Sequence, residues 1–355
     1  MKISVYNSFE DLKSIWIDFQ KNAYCYAFQT YEWLSTWYQI VGNKSGFKPC
    51  LVLVEEVENK QLMILPLGIK SIGGIKILSW LGDKVTDYHS PLIRENITEE
   101  FFEQNLFLIW SEVKKKLPPF DVIHFDKQPE FIDGFKNPFL QLGCNQLNYH
   151  AYSFYIEGSW EKYYTKRVKK RIRSDSRRQL KRLEEKGTVK FKIVSDTETI
   201  KEITDVMINH KVRRFLETGV SNMFSNPIYS QFYHKAAEKF VTEGLIHISA
   251  LYVDDKIIAT HWGTVYKNRF CYLMPTYEGG EWEKYSAGRL LLIYLMKWCA
   301  ENRIELFDFT IGDEVYKKDW CDKEMKIFEY RESISFKGIF YVFILWLKKI
   351  KFKYD

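Results

Sequence analysis

Apolar residues recur along this chain in two rhythms. Lys2 to Tyr6 alternates, which predicts a strand, whereas Leu12, Ile15, Trp16 and Phe19 recur at helical spacing and predict a helix over Phe9 to Phe19. Thr30 is placed to cap a second helix carrying Trp33, Leu34 and Trp37. Three strand-like runs follow, Pro49 to Val57, Gln61 to Ile69 and Gly74 to Leu81. The first two are joined by Glu58-Asn59-Lys60, short enough for a hairpin. Phe101 to Lys116 reads as an amphipathic helix stopped by Pro118-Pro119, and Asp121 to Asp126 as a strand.

The second half repeats this order. Tyr164 to Glu185 predicts one long basic helix, ended by Gly187. Its apolar stripe is narrow, at Val168, Ile172, Leu180 and Leu183. Val189 to Val194 reads as a strand, and Ile200 to Thr218 and Pro227 to Glu243 as helices. Ile246 to Val253 and Lys256 to Tyr266 predict a hairpin about Asp254-Asp255, extended by Arg269 to Tyr277. Leu291, Leu292, Leu295, Met296 and Cys299 mark a last helix, and Leu306 to Ile311 alternates as a strand. The order strand–helices–strand–strand–strand–helix–strand, met twice, predicts a tandem α/β (α+β) fold. Each half is expected to be a mixed twisted sheet with helices on both faces, with the boundary between Gly143 and Trp160. The expected domains are 1–150, 151–335 and a basic, apolar C-terminal helix over 336–355.

Composition sharpens this picture. A chain of 355 residues exceeds the roughly 250–300 at which one core stops growing, so two cores are expected. The 17% aromatic content supplies core volume first, and stacking surfaces second. The formal charge of +6 is uneven: Lys162 to Lys186 holds twelve Lys/Arg against three Asp/Glu, a net of +9, so the remainder carries −3. Such a segment suits an anionic acceptor, a membrane surface or tRNA, or a solvated helix paired with the acidic remainder. The six cysteines form no Cys-x-x-Cys pair and no cluster with histidine, which predicts reduced cytosolic thiols and no metal. Met1 to Tyr6 carries no secretory hydrophobic region, so a cytoplasmic protein is expected. Gly338 to Leu347 is too short to span a bilayer. With Lys348, Lys349, Lys351 and Lys353 behind it, it suits a terminal helix packed on its domain or one lying at the inner, anionic face of a membrane.

The stretch from Lys284 to Trp320 carries the candidate chemistry. Ser286, Ala287 and Gly288 form a small-residue loop feeding a helix, whose first N–H groups have no partner inside the helix and so attract anions. Arg289 adds a fixed positive charge there. Asp308 stands inside a strand, where propensity disfavours it. Tyr-Ser-x-Gly at Tyr285, an apolar helix, and Phe-Asp-Phe-x-x-Gly-x-x-x-Tyr-Lys-x-x-Trp ending at Trp320 together resemble bacterial GNAT-type N-acyltransferases of the polysaccharide-biosynthesis class. These are related to the Fem-type transferases that add amino acids to peptidoglycan precursors. The resemblance runs more weakly from about Trp160 to Arg331, and the first half looks like a degenerate second copy.

The resemblance implies acyl-CoA as co-substrate, with its pyrophosphate on Ser286, Ala287, Gly288 and Arg289. It also implies backbone donors to the oxyanion where strands Arg269 to Tyr277 and Leu306 to Ile311 splay apart. The chain departs from the acyl-CoA loop pattern Gln/Arg-x-x-Gly-x-Gly/Ala in having one glycine, and Fem-type relatives use aminoacyl-tRNA instead. Asp308 is the first candidate for general base, or else a partner for Lys or Arg on a neighbouring strand. Tyr285 and Tyr316 are candidate proton donors to the leaving thiolate. Candidate acceptor contacts are Lys317, Trp320, His261 and, where the resemblance places a cleft, Asp87 and Tyr88; core packing is the competing role for His261. No HExxH, Walker loop, dinucleotide fingerprint, Gly-x-Ser-x-Gly elbow or helix-turn-helix signature is present, which argues against sequence-specific DNA reading. The expected function is transfer of an acyl group from acyl-CoA to the amine of an amino-sugar or other cell-envelope precursor. The alternatives are a Fem-type aminoacyl-tRNA-dependent transferase and a catalytically inactive scaffold at the membrane.

Overall fold

The computed structural model describes residues 1–56 and 60–343. The expected turn at Glu58-Asn59 and the basic tail at 344–355 lie outside the described residues. The chain forms two compact units, Met1–Tyr149 with Met325–Asp355, and His150–Glu324.

The first unit opens with β1 (Lys2–Tyr6), α1 (Phe9–Phe19), the short β2 (Ala23–Tyr24) and α2 (Tyr31–Trp37). Thr30 does cap α2, accepting from Trp33 N. β3 (Phe47–Glu55), β4 (Gln61–Ile72) and β5 (Ile75–Trp80) pair antiparallel in succession. The short β6 (Leu92–Arg94) pairs with β2 and β4. α3 (Glu99–Lys116) is capped by Thr98, and its acidic first turn and three terminal lysines both suit the helix dipole. β7 (Val122–Pro129) then runs parallel to β5, and a small hairpin follows, β8 (Phe131–Ile132) with β9 (Phe135–Lys136).

β10 (Asn145–Tyr155) is an eleven-residue strand where the sequence suggested only a boundary. In the second unit the expected single basic helix is two, α4 (Trp160–Arg167) and α5 (Lys170–Glu184). Val168 breaks it: its side chain is buried in the core and its backbone is extended, and Arg173 Nε donates to the freed Val168 carbonyl at 3.1 Å. β11 (Val189–Ile193), α6 (Thr197–Thr218), α7 (Pro227–Phe240), β12 (Ile246–Val253) and β13 (Lys256–Tyr266) follow the expected order. The expected strand Arg269 to Tyr277 is instead two pieces, β14 (Arg269–Cys271) and β15 (Thr276–Tyr277). α8 (Ala287–Glu301) and β16 (Leu306–Ile311) complete this unit. β17 (Lys323–Ser333), which the sequence pattern did not reveal, pairs antiparallel with β7 of the first unit.

Strand pairing in the second unit runs β10-β16-β14-β13-β12-β11, mixed because only β14 and β16 are parallel. Its two faces are covered differently. Trp262 points to α7, where Tyr233 meets its ring at 4.9 Å, and the opposite face lies under α8. Leu291, Leu295, Met296 and Cys299 are fully buried there, each worth about 1.5–3 kcal/mol if a large apolar chain.

Candidate active site

In the second unit β14 and β16 pair from Arg269↔Leu306 to Cys271↔Asp308, and their last bond is Tyr272 N to Asp308 O at 2.8 Å. Beyond it they part. Met274 N donates to Trp262 O of β13 at 2.9 Å, and β15 pairs with β13, while Ile311 pairs with Ala151 of β10. At this divergence no hydrogen bond to the Leu273 N–H is found among the described residues. Thr310 adopts φ 55°, a strained conformation for a β-branched residue, next to a register shift in the β10–β16 pairing.

α8 begins beside this gap without a side-chain cap, because Ser286 sits at φ 54° and makes no capping bond. Arg289 N and Leu290 N both donate to Ser286 O, and no hydrogen bond to the Ala287 or Gly288 amide is found among the described residues. Gly288 has a packing reason too: a Cβ there would stand 3.2 Å from the Tyr277 ring. Arg289 reaches α5 and pairs with Asp175, which also pairs with Arg178. Partial burial works to raise the Asp175 pKa, but the bonds and charges of Arg289 and Arg178 outweigh it and hold the carboxyl below its usual value. The Arg289 Nε is buried without a partner. These groups line a cavity of about 750 Å³ whose charged walls are Lys169, Arg171, Arg178 and Arg289 against Asp175 and Asp319. The balance is positive, and Lys169 is steadied by Asp319 at 2.6 Å.

The other predicted residues divide. Asp308 is buried, its carboxylate 2.6 Å from Arg269 Nη1 on the neighbouring strand and 2.8 Å from Thr310 N. It is engaged as an ion-pair partner that fixes the end of β16. Tyr316 is partly exposed at 40%, edge-on to Phe309 at 6.0 Å, and burial of its phenol followed by the charge of Glu314 raises its pKa. Tyr285 is buried, with the Arg182 guanidinium 5.3 Å from its ring centre.

Four of the residues expected to contact an acceptor are buried. His261 lies between the rings of Phe270 and Tyr272, at 5.0 and 4.9 Å, with no exposed surface. Trp320 is a core residue. Lys317 is buried, its ammonium donating to Ile311 O and meeting Glu314, both at 2.9 Å. Tyr88 is fully buried in the first unit, 4.6 Å from the Tyr26 ring; Asp87 beside it is half-buried.

The first unit has a parallel pair of its own, β5 with β7, but the place beyond it is filled by chain. There the segment 82–90 returns to β7, with His89 N donating to Lys127 O at 3.0 Å and His89 Nδ1 meeting Asp126 at 2.9 Å. Lys127 Nζ in turn donates to Thr86 O at 2.7 Å. Sequence reasoning missed Lys169, Arg171, Asp175 and Arg178 as wall residues, although the charge run pointed to their helix. It also missed Leu273, whose relevant group is a main-chain amide that no side chain announces.

Residues 170–318 match the Acetyltransferase (GNAT) domain. The matched residues include β14, α8 and β16, and so the parallel pair that diverges here. Among solved structures, the chain is similar to FemX, at 12% identity over 92% of this chain and 97% of that one, TM-score 0.60. It is similar to L-PGS from Bacillus licheniformis, at 13% identity over 99% of both chains, TM-score 0.52. A tandem GNAT protein from the clavulanic acid biosynthesis pathway matches at 8% identity over 94% of this chain and 98% of that one, TM-score 0.50. At these identities the likeness is one of fold, and it extends the mixed α/β architecture of a tandem GNAT protein over both units. No curated protein matches the sequence. Among the described residues there is no group of three metal-ligating side chains and no helix long and apolar enough to cross a membrane.

Proposed function

We propose that this chain is an N-acyltransferase that takes an acyl group from acyl-CoA and passes it to the amine of an amino-sugar or another cell-envelope precursor. What supports this reading is a net-positive cavity walled by Arg289, the residue that follows the Ala287 and Gly288 amides at the start of α8, together with the Leu273 amide where β14 and β16 part; no hydrogen bond to these three amides is found among the described residues. The residues fit such a donor. The Ala287 and Gly288 amides and the Arg289 guanidinium suit a pyrophosphate, and Leu273 N–H suits the oxygen of a thioester carbonyl as it gains charge. In the reaction the amine nitrogen forms a bond to the carbonyl carbon, the carbon–sulfur bond breaks, and the amine proton leaves to water. Asp308, held by Arg269, serves by keeping the end of β16 in place. Tyr316, protonated at neutral pH as an ordinary phenol is and more so with its pKa raised by burial, serves as a hydrogen-bond donor to the departing sulfur.

Calorimetry with acetyl-CoA and longer acyl-CoAs tests the reading. Binding is expected in the wild type and its loss in Gly288→Trp, whose side chain would occupy the space at Tyr277. No binding at millimolar donor removes the proposal, and unchanged binding in the variant moves the phosphate site elsewhere. A second reading, a Fem-type transfer from aminoacyl-tRNA, is favoured by one observation: exposed Lys170, Arg171, Arg177, Arg178 and Lys181 extend the positive surface beyond what a pyrophosphate needs. It predicts micromolar binding of charged tRNA that weakens steeply with salt.

A further inference from the structure

Independently of that reading, the helix at 336–343 presents an apolar face that stays largely exposed among the described residues. Its start is tied down: Ile334 N donates to Asp121 O at 2.8 Å, Ser335 Oγ to Asp121 Oδ1 at 2.6 Å, and Gly338 N to Ser335 Oγ at 3.2 Å. Gly338 is buried so close to the Asp121 carbonyl that a Cβ there would fall 2.2 Å from its oxygen. With the inner stripe fixed at Gly338, Tyr341 and Val342, the opposite stripe is directed outward. Phe336 is 92% exposed, Ile339 58%, Phe340 64% and Phe343 51%. Four large apolar side chains at spacings of three and four residues form one continuous band, far beyond the single exposed residues normal on a surface.

We propose that this face docks on an anionic phospholipid surface. The sequence from 336 to 355 carries five lysines, Lys337, Lys348, Lys349, Lys351 and Lys353, and one carboxylate side chain, Asp355. A second copy of the chain would cover the phenylalanines but bring the two sets of lysines together, whereas an anionic bilayer satisfies both the aromatic band and the charge. The combination of a shallowly inserted apolar stripe with a polybasic flank is the two-signal arrangement that gives stable peripheral attachment.

The test is flotation of the full chain with vesicles of phosphatidylcholine alone and of phosphatidylcholine mixed with phosphatidylglycerol, alongside light scattering of the free protein. The wild type is expected to float with the mixed vesicles only and to be released by high salt. Phe336→Asp with Phe340→Asp should lower partitioning by more than about tenfold, since each lost apolar side chain removes insertion energy. Replacing Lys348, Lys349, Lys351 and Lys353 by Gln should erase the preference for anionic vesicles, at about fivefold per lysine. Both variants alter exposed or terminal positions, and an unchanged melting temperature confirms that they fold. Equal flotation of the double Asp variant overturns the proposal. So does a wild type that stays with the soluble fraction, whether as a monomer or as a dimer that the same substitutions dissociate.

Discussion

Asp308 and Arg269 form the ion pair on which the end of β16 rests, with the carboxylate 1% exposed. Asp308→Asn keeps the shape and removes the charge, leaving the guanidinium without that carboxylate. A loss of about 3–5 kcal/mol is expected, read from urea unfolding, whereas Arg269→Met combined with Asp308→Leu should recover most of it. The buried histidines set the acid limit. His247 packs 4.3 Å from Trp298 and 5.8 Å from His261, ring centre to ring centre, and neither histidine has a hydrogen-bond partner on its ring. Burial lowers the His247 pKa from 6.5 to about 3, and burial followed by the charge of His247 lowers that of His261 well below its usual value. A folded-state value below the unfolded one means the unfolded chain takes up the proton first. This stability is therefore full above pH 6.5 and is lost as pH falls toward 3, at up to about 1.4 kcal/mol per pH unit for each histidine. Urea midpoints at pH 7 and pH 5 should differ markedly in the wild type and less in His247→Phe.

At the scale of elements, most of the second unit was legible because its elements are buried in simple rhythms. β12, β13 and β16 lie at the expected bounds, and α8 carries the expected apolar face. The misreadings share a cause, a tertiary demand acting on a few residues. Val168 suits a helix stripe by spacing, but the core claims it in extended form and splits the basic helix. β14 and β15 read as one strand because the apolar run Phe270 to Met274 continues through Leu273, where the main chain changes partner from β16 to β13. β17 escaped notice because its charged residues hide the period of two. The split gives α5 its own start, and with it the placement of Lys169 and Arg171 on the cavity wall. Reversing charge there, by Arg171→Glu with Arg178→Glu, should weaken acyl-CoA binding at least about tenfold while leaving the melting temperature within a few degrees, as expected of exposed positions. Calorimetry at low and moderate salt measures this, and the difference between wild type and variant should shrink as salt rises.

Over the whole chain, the two units share a topological device and use it differently. Each contains a parallel strand pair among antiparallel neighbours in the described residues, β5 with β7 and β14 with β16. Beyond the second pair stand amides to which no hydrogen bond is found among the described residues; beyond the first, His89, Thr86 and Lys127 are bonded to one another's backbone or carboxylate neighbours. A donor bound to the native state stabilises the elements that hold it. Hydrogen exchange in saturating acyl-CoA should therefore slow at Leu273 and at 286–290, with the strands of the first unit unchanged; slowing at 82–90 would contradict the assignment.

The segment 82–90 has one more implication. By lodging against β7 it acts as a tenant that the first half supplies from its own chain. In the second half the chain supplies no such occupant among the described residues, and under the proposed function the donor takes that place.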